Sequence, residues 1–364
     1  MQHREWLLLA HAYISIAELA ALIEEFGSID SIVSQSESRL RTAGLSEKKA
    51  AALAAPNEQA ISAALEWLQS DTHSIVTYGN DDYPELFSQI KGAPLLLFVN
   101  GSVDALHLPS LAIVGSRNPS RGGTQNAFEF SRHLARGGYA IVSGLAQGID
   151  TAAHRGALDA GGTTVAFLGH GIDRVYPAAN HELAHQIAST GALVSEYPLG
   201  AAPEKHHFPE RNRLISGLSM GTLVVEAARR SGSLITARLA AEQGREVFAI
   251  PGSIHNALAR GCHELIRQGA KLVESAADIH SELAPLADHL QKNVIDSMPD
   301  KAPLSDGDED YVKLKNALGF DPATMDEIGA QSGLTIDQLS SMLLILELQG
   351  EIEAHSGGRY SLIA

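Results

Sequence analysis

The chain has 364 residues, of which 45% are hydrophobic and 19% charged, so it is long enough for two or three domains with sizeable cores. A formal net charge of −16 argues against a nucleic-acid partner at first sight, and the single cysteine excludes an internal disulfide framework. No apolar run reaches the roughly 18 residues of a membrane span, and the first ten residues show no signal-peptide cleavage site, so we expect a cytoplasmic protein.

The acidic excess lies at the two ends of the chain. Residues 1–72 hold 5 basic and 10 acidic residues, residues 73–280 hold 17 and 18, and residues 281–364 hold 5 and 15. Because the middle of the chain is close to neutral, a local basic groove can form there despite the overall charge.

Residues 1–72 show a helical pattern, with apolar stretches such as IAELAALIEEF separated by short turns at Gly27 and Gly44. The piece RTAGLSEKKA is similar to a helix-hairpin-helix or SAM-like turn. Two interpretations stay open for this segment, a SAM-like domain and a plain helical packing domain.

Residues 73–280 change to short β-rich runs that alternate with glycine turns and helical stretches. Strands are predicted at Ser74–Tyr78, Leu95–Asn100, Leu111–Val114, Ala140–Val142, Thr164–Leu168, Ala192–Ser195, Leu223–Val225, Val247–Ile250 and Lys271–Val273. Helices such as Thr124–Arg136 follow most of them. This alternation predicts an α/β fold, an extended Rossmann-like, doubly wound parallel sheet that binds ligands at the carboxyl ends of its strands.

Residues 281–310 contain prolines and aspartates and are predicted to form an acidic linker. Residues 311–364 have the pattern of three helices and a β-hairpin, which predicts a winged helix. The recognition helix expected at Ile336–Gln349 carries Asp337 and Glu347 but no Lys or Arg. Such a face repels phosphates, so a protein-contact or structural role is favoured over duplex recognition.

The first candidate binding segment follows the strand Leu111–Val114. Gly115, Ser116 and Arg117 form a turn before a helix, an arrangement that offers backbone N–H groups and a guanidinium to a phosphate. The spacing matches neither a Walker loop nor a GxGxxG fingerprint. The alternative is a purely structural turn with Arg117 in solvent.

Two further strand ends are predicted to reach the same edge. Ser143 and Gly144 would lie beside Gly115 if their strands are neighbours, and Ser233 lies at another entry from a turn into a helix. His154, in the helix after Gly144, is a potential ligand, but a packed, hydrogen-bonded histidine is the favoured interpretation.

The segment EKHHFPERNR is the most informative, because basic groups interleaved with an aromatic suit single-stranded nucleic acid. We place it after a strand and before a helix. Its candidate binding residues are Lys205, Phe208, Arg211, Asn212 and Arg213. The alternative is a set of internal salt bridges, in which Arg213 pairs with a neighbour such as Glu196 or Glu226.

Two histidines in the same segment, His206 and His207, suggest a metal site. No companion carboxylate at ligand spacing is evident from the sequence, so no metal is predicted.

Taken together, the motifs VGSRNPS, SGLAQGIDTAAH, GHGIDRVYPAANHELA, SEYPLG, HHFPERNRLISGLS, VVEAARRSGSLITA, AIPG and GCHELIRQGAKLV closely resemble, in this order, those of the DNA-processing protein A (DprA/Smf) family. The resemblance covers roughly residues 75–280, and both flanks look like the family's optional SAM-like and winged-helix domains. It implies a Rossmann fold that binds and protects single-stranded DNA and helps to load the recombinase RecA in natural transformation. It implies neither a cofactor nor catalytic turnover.

The resemblance also suggests roles for particular residues. The family's DNA contacts carry over onto Arg117, Lys205, Arg211 and Arg213, and Phe208 is our candidate for base stacking. Family members form dimers, and the matching surface GCHELIRQGAKL has His263 and Leu272 as expected contacts.

An enzyme is the runner-up hypothesis. The fold class includes hydrolases similar to the lysine-decarboxylase-like phosphoribohydrolases, whose PGGxGTxxE loop would correspond to SGLSMGTLVVE, ending at Glu226. The stretch lacks the Pro-Gly-Gly that closes over a nucleotide phosphate, and Glu226 can instead pair with an arginine. A third hypothesis is a scaffold whose acidic ends recruit partners.

Overall fold

The computed structural model describes residues 3–283, 309–319, 323–334, 352–355 and 359–362, together with Leu339, Leu343 and Leu346. The chain divides into two units, Met1–Gln291 and Lys292–Ala364. None of the described helices is long and apolar enough to cross a membrane.

The N-terminal part of the first unit is helical. It contains α1 (His3–His11), α2 (Ile16–Phe26), α3 (Ile29–Val33), α4 (Glu37–Thr42), α5 (Glu47–Ala54) and α6 (Glu58–Trp67). Ser15 caps α2 in a capping box with Glu18, which satisfies backbone N–H groups at the helix start. Leu9 and Leu22 are fully buried in a cluster that also includes Phe98 of the sheet. The helices therefore pack on the sheet, while a domain boundary after residue 72 and a SAM-like fold stay predictions.

The described part of the first unit holds one sheet of nine strands. They are β1 (His73–Thr77), β2 (Leu96–Gly101), β3 (Ser110–Val114), β4 (Ala140–Ser143), β5 (Thr164–Leu168), β6 (Ala192–Ser195), β7 (Gly221–Val224), β8 (Glu246–Ala249) and β9 (Lys271–Leu272). Their spatial order is β1-β2-β6-β5-β4-β3-β7-β8-β9. The predicted fold class, a Rossmann-like sheet with helices, is confirmed.

The first two strands depart from the predicted parallel arrangement. β1 pairs with β2, and β2 with β6, in antiparallel register, whereas β3 to β9 are parallel. The connection from β1 to β2, which contains the short helix α7 (Glu85–Ser88), folds back so that the Tyr78 N–H donates to the Leu95 carbonyl at 3.0 Å. This return pairs the two strands as a hairpin rather than as a parallel crossover.

The chain reverses its direction of winding beside β3. Helices α8 (Arg121–Arg136), α9 (Ile149–Asp159) and α10 (His181–Thr190) carry it outward through β4, β5 and β6. Helix α11 (His207–Leu218) returns it to β7 on the other side of β3, and α12 (Gly232–Glu242) and α13 (Arg260–Arg267) lead on to β8 and β9. A crevice opens at the carboxyl ends of the strands on either side of such a switch point, here β3 and β7.

Strand β3 is buried on both faces. Ile113 packs in one cluster with Leu134 of α8, and Val114 packs in another with Leu214 of α11. Successive side chains of a strand point to opposite faces, so helices on both sides explain the uninterrupted apolar run at this position. The strand ends that carry the site are thus held by two layers of packing.

The second unit contains helices Glu309–Ala317 and Met325–Ser332 and a sheet in the order Ala323–Thr324, Arg359–Leu362, Ile352–His355. Its core is a cluster of buried apolar residues that includes Leu314, Ile328, Leu339, Leu343, Leu346 and Ile352. These elements agree with the predicted winged helix.

Parts of the C-terminal predictions lie outside the described residues. In the predicted recognition helix Ile336–Gln349, Leu339, Leu343 and Leu346 are described and buried, whereas Asp337 and Glu347 are not described. Most of the predicted linker 281–310 is also outside this range.

Candidate nucleic-acid interface

A cleft of about 590 Å³ lies where the sequence predicts ligand binding, at the carboxyl end of β3 and the starts of α11 and α12. We call it the central cleft. Its lining includes seven predicted site residues: Gly115, Arg117, Lys205, Phe208, Arg211, Asn212 and Ser233. The structure therefore brings together residues that are more than 100 positions apart in the chain.

The turn after β3 is fixed by its neighbours. The Ser116 N–H donates to the Glu226 carbonyl at 2.8 Å, and the Ser116 carbonyl accepts from the Ile149 N–H at 3.1 Å. A Cβ at Gly115 would lie 2.6 Å from the Ile149 side chain, so only glycine fits without displacing a neighbour. Arg117 is thus an exposed side chain on a fixed turn. Ser116 itself does not line the central cleft.

Glu226 anchors the same turn from the end of β7. Its carboxylate accepts from the Ser120 N–H at 2.8 Å and the Ser120 Oγ–H at 2.6 Å, and its side chain is mostly buried. Ser120 in turn caps α8 by accepting from the Gly123 N–H at 3.0 Å. The pairing of Glu226 with Arg213 that the sequence left open is not the one observed, because the Glu226 carboxylate accepts from Ser120 and holds the loop.

Helix α11 begins earlier than the sequence predicts. We placed EKHHFPERNR before a helix, but the helix begins at His207 and contains Phe208 to Arg213. Residues three and four apart share a helix face, so Phe208, Arg211 and Asn212 line the central cleft together. Arg213, two positions after Arg211, does not line it.

Arg213 is used in an internal ion pair. Its Nη2 donates to the Glu196 carboxylate at 2.5 Å and its Nε donates to the Gly92 carbonyl at 2.9 Å. Of the two pairings considered from sequence, the structure shows the one with Glu196. Both side chains are about three-quarters buried, at 21% and 28% exposed. Arg213 therefore holds α11 to neighbouring loops and is not presented to a ligand.

Arg211 forms the floor of the central cleft and is only 3% exposed. Its Nη1 donates to the Phe167 carbonyl, and its guanidinium fills the space above Gly144, where a Cβ would lie 2.4 Å from Nη1. Burial lowers the pKa of Arg211 to about 10, so the group stays charged at neutral pH. Its Nε has no partner among the described residues, which leaves a buried cation with spare hydrogen-bonding capacity at the floor.

Asp150 is a carboxylate in the lining of the central cleft, and it is nearly buried. It accepts from the Gly144 N–H at 3.2 Å and the Ala146 N–H at 3.3 Å. Burial raises its pKa, and the charge of Arg211 opposes that rise. Ser143, beside Gly144, donates its hydroxyl to the Ile113 carbonyl at 2.7 Å and is fully buried. Ser143 and Gly144 therefore lie beneath the Arg211 guanidinium, which forms the floor, and do not themselves line the cleft.

Two aromatic rings and a guanidinium stack at one side of the central cleft. Arg117 lies over the Phe208 ring, 5.5 Å from its centroid, and Phe208 also packs on Gly169. Tyr176 lies 5.9 Å from Phe208 at 39° and is 49% exposed. Tyr176 was not singled out from the sequence, although it belongs to the quoted motif GHGIDRVYPAANHELA. It presents a more open ring to the cleft than the predicted Phe208, which is half-buried.

The electrostatics of the central cleft favour an anion. Neither Arg117 nor Lys205 has a carboxylate within 4.0 Å in the described parts of the chain. The N-terminus of α12, with Ser233 at its second residue, also lines the cleft and adds the positive end of a helix dipole.

The three histidines considered as ligands lie in two different environments. His154 is fully buried, its Nδ1 lies 2.7 Å from the Thr164 hydroxyl, and burial lowers its pKa to about 3, which matches the packed, hydrogen-bonded interpretation. For His206 and His207 the stated reason against a metal was wrong. Glu204 supplies the missing carboxylate, with its oxygen 3.4 Å from the Nδ1 of His206.

The two predicted dimer contacts lie near the β9 end of the sheet. His263 is on α13, with its Nε2 3.0 Å from the Gly252 carbonyl oxygen. Leu272 is on β9, the last strand in the sheet order, and is 44% exposed. Both are partly accessible, and their role in a dimer stays a prediction.

The doubly wound sheet, with a cleft lined by basic residues at the switch point beside β3, defines a Rossmann-like protein. Two family models match the chain: "DNA recombination-mediator protein A" over residues 74–284 and "DprA winged helix domain" over residues 298–358. The chain therefore belongs to the DprA/Smf family.

Similar proteins agree with this assignment. The chain is 37% identical to Protein Smf of Escherichia coli over 348 residues, which cover 94% of this chain and 90% of that protein. It is 50% identical to DNA processing protein DprA of Streptococcus pneumoniae over 203 residues, which cover 56% of this chain and 72% of that protein.

Two solved structures are similar as well. The X-ray structure of DprA from Streptococcus pneumoniae matches with a TM-score of 0.69 and 38% identity, covering 78% of this chain and 98% of that one. A structure of DNA processing protein A from Helicobacter pylori, described for its single-stranded DNA binding mode, matches with a TM-score of 0.54 and 31% identity. That match covers 58% of this chain and 96% of the other.

Proposed function

We propose that this protein binds single-stranded DNA in the central cleft, as a DNA-processing protein that acts during natural transformation. The observation that carries the proposal is that Arg117 and Lys205, with no carboxylate within 4.0 Å among the described residues, share one cleft with the exposed ring of Tyr176. Cations hold backbone phosphates and an open ring stacks on an unpaired base, which a duplex does not offer. The single-stranded DNA binding described for the Helicobacter pylori relative supports the proposal.

The finer steps belong to the same proposal. The protein protects the strand, acts as a homodimer in the cytoplasm, and passes the DNA to a RecA-type recombinase. The exposed Leu272 at the β9 end of the sheet supports an interface between copies, because unpaired apolar edges are commonly covered by association.

The proposal assigns binding without catalysis. In the hydrolase alternative, Glu226 would act on a glycosidic bond, but here its carboxylate is occupied by Ser120 and lies outside the lining of the central cleft. The scaffold alternative, in which the protein has little DNA affinity, is disfavoured because Arg117, Lys205 and Arg211 all line the cleft. No cofactor is part of the proposed activity.

The test is fluorescence anisotropy of labelled oligo-dT and of a matched duplex at two salt concentrations. We expect a preference for the single strand and an affinity that falls with salt. Lys205→Ala is expected to reduce the salt slope by about 0.7 for the loss of one phosphate contact. Lys48→Ala, an exposed lysine on α5, is the matched control and should change neither value. Equal affinity for both DNA forms, or no binding at low salt, would contradict the proposal.

A further inference from the structure

A cluster of metal-ligand side chains lies at the start of α11, next to Lys205. Glu204, His206 and His207 each offer one ligand atom, and these atoms lie within 4.8 Å of one another. The rings of the two histidines are 4.4 Å apart. We propose that this cluster binds a divalent transition-metal ion of the zinc type.

The donor set selects the class of ion. Two imidazoles and one carboxylate suit zinc, cobalt or nickel, whereas magnesium and calcium prefer oxygen ligands alone. Three protein ligands leave the fourth position of a tetrahedral ion open to water or to a phosphate oxygen. The Glu204 and His206 side chains are 58% and 61% exposed, so small rotations can bring their donor atoms to bonding distance.

His207 is already oriented as metal ligands usually are. Its Nδ1 lies 3.2 Å from the Gly169 carbonyl oxygen, and its ring stacks on Tyr197 at 4.0 Å and 30°. If Nδ1 donates its proton to that carbonyl, Nε2 keeps the lone pair that a metal ion binds. A histidine ligand commonly donates its other N–H to a backbone carbonyl in this way, which fixes both its tautomer and its orientation.

The position of the cluster links it to the central cleft. Lys205 lies between Glu204 and His206 in the chain, in a stretch without regular secondary structure. An ion held on both sides of Lys205 fixes this stretch to α11 and adds positive charge beside the cleft. This consequence for DNA rests on the proposed function, whereas ion binding does not.

Isothermal titration of zinc chloride into the full-length chain tests the site directly. We expect His206→Ala to weaken one binding event by at least about tenfold. His185→Ala is the matched control, because His181 and His185 lie 4.6 Å apart on α10 and can bind an ion independently. If His206→Ala leaves the titration unchanged, or if His185→Ala alone removes all zinc binding, the proposal is wrong.

A second readout separates this inference from the proposed function. Anisotropy of oligo-dT with and without zinc is expected to show several-fold tighter binding for the wild type and no effect of zinc for His206→Ala. If calorimetry detects the ion but DNA affinity does not respond in either protein, the link to the cleft is refuted. If oligo-dT does not bind with or without zinc, the proposed function fails, while the calorimetric result still decides the metal site.

Discussion

The guanidinium of Arg117 lies over the Phe208 ring, with its central carbon 5.5 Å from the ring centroid. One residue comes from the turn after β3 and the other from the first turn of α11, so the contact joins two distant segments of the chain at one side of the central cleft. Cation–π contacts at exposed sites contribute about 0.5–1 kcal/mol, which is enough to orient the guanidinium but leaves its N–H groups free.

We expect Arg117→Ala to weaken oligo-dT binding by about tenfold or more, because it removes a charged donor to phosphate. Thermal stability should change little, since the side chain is exposed. Arg155→Ala, on α9 and also exposed, removes the same charge away from the cleft lining and is the control. Anisotropy of the two variants in parallel gives the comparison, and equal losses would show that only net charge matters.

Tyr176→Ala should weaken oligo-dT binding by about 1–3 kcal/mol if its ring stacks on a base. Tyr176→Phe keeps the ring and should keep most of the affinity. Because the side chain is 49% exposed, neither variant is expected to unfold the protein. If Tyr176→Ala binds oligo-dT with the affinity of the wild type, the Tyr176 ring does not stack on a base.

Arg213→Met should lower stability by about 1–3 kcal/mol, because it breaks hydrogen bonds to Glu196 and Gly92 at a mostly buried position. Its affinity for oligo-dT should stay within about twofold of the wild type, since the side chain does not line the central cleft. Urea unfolding and anisotropy measure the two effects separately. A large loss of DNA affinity at unchanged stability would instead support the direct DNA contact by Arg213 that the family resemblance implies.

The lowered pKa of the buried His154 makes the stability of the protein depend on pH. Burial lowers its pKa to about 3 from 6.5, so between these values the unfolded chain binds a proton that the folded protein does not. Its contribution to stability is therefore constant above about pH 6.5 and is lost as the pH falls, with a slope of up to about 1.4 kcal/mol per pH unit. Urea unfolding from pH 7 to pH 5 should show a shallower slope in His154→Gln than in the wild type. His255→Gln, an exposed histidine, should leave the slope unchanged.

Glu226→Ala should destabilise the protein by about 1–3 kcal/mol and weaken DNA binding, because it frees the loop that carries Arg117. Ser120→Ala removes only the hydroxyl contact to Glu226 and should weaken DNA binding less, since its backbone N–H can still donate. The variant also loses the cap of α8, which adds to its loss of stability. Release of free base from nucleoside monophosphates by the wild type, abolished in Glu226→Ala, would instead favour the hydrolase.

The sheet could be predicted because its strands are short apolar runs bounded by glycine turns, as β3 and β5 show. The start of α11 could not be predicted in the same way. Pro209 interrupts the helical pattern, yet proline is tolerated in the first turn of a helix. Unless the first residue of α11 is known, the sequence does not tell whether Arg211 or Arg213 faces the cleft.

Contacts between side chains of different segments also could not be predicted from the sequence. Tyr176 reaches Phe208 only because the loop after β5 passes the start of α11, and no local spacing records that approach. Glu204 was overlooked as a partner of His206 for a different reason. Its spacing in the chain is short, but whether the two side chains point the same way depends on the loop conformation.

The space that Gly144 leaves for Arg211 has an evolutionary consequence. A side chain at position 144 and an arginine at position 211 cannot share the same volume, so neither can be replaced without regard to the other. Related sequences should therefore vary at these two positions as a pair, with a larger residue at 144 accompanied by a shorter one at 211. A relative with alanine at 144 and arginine at 211 would have had to rebuild the floor of the cleft.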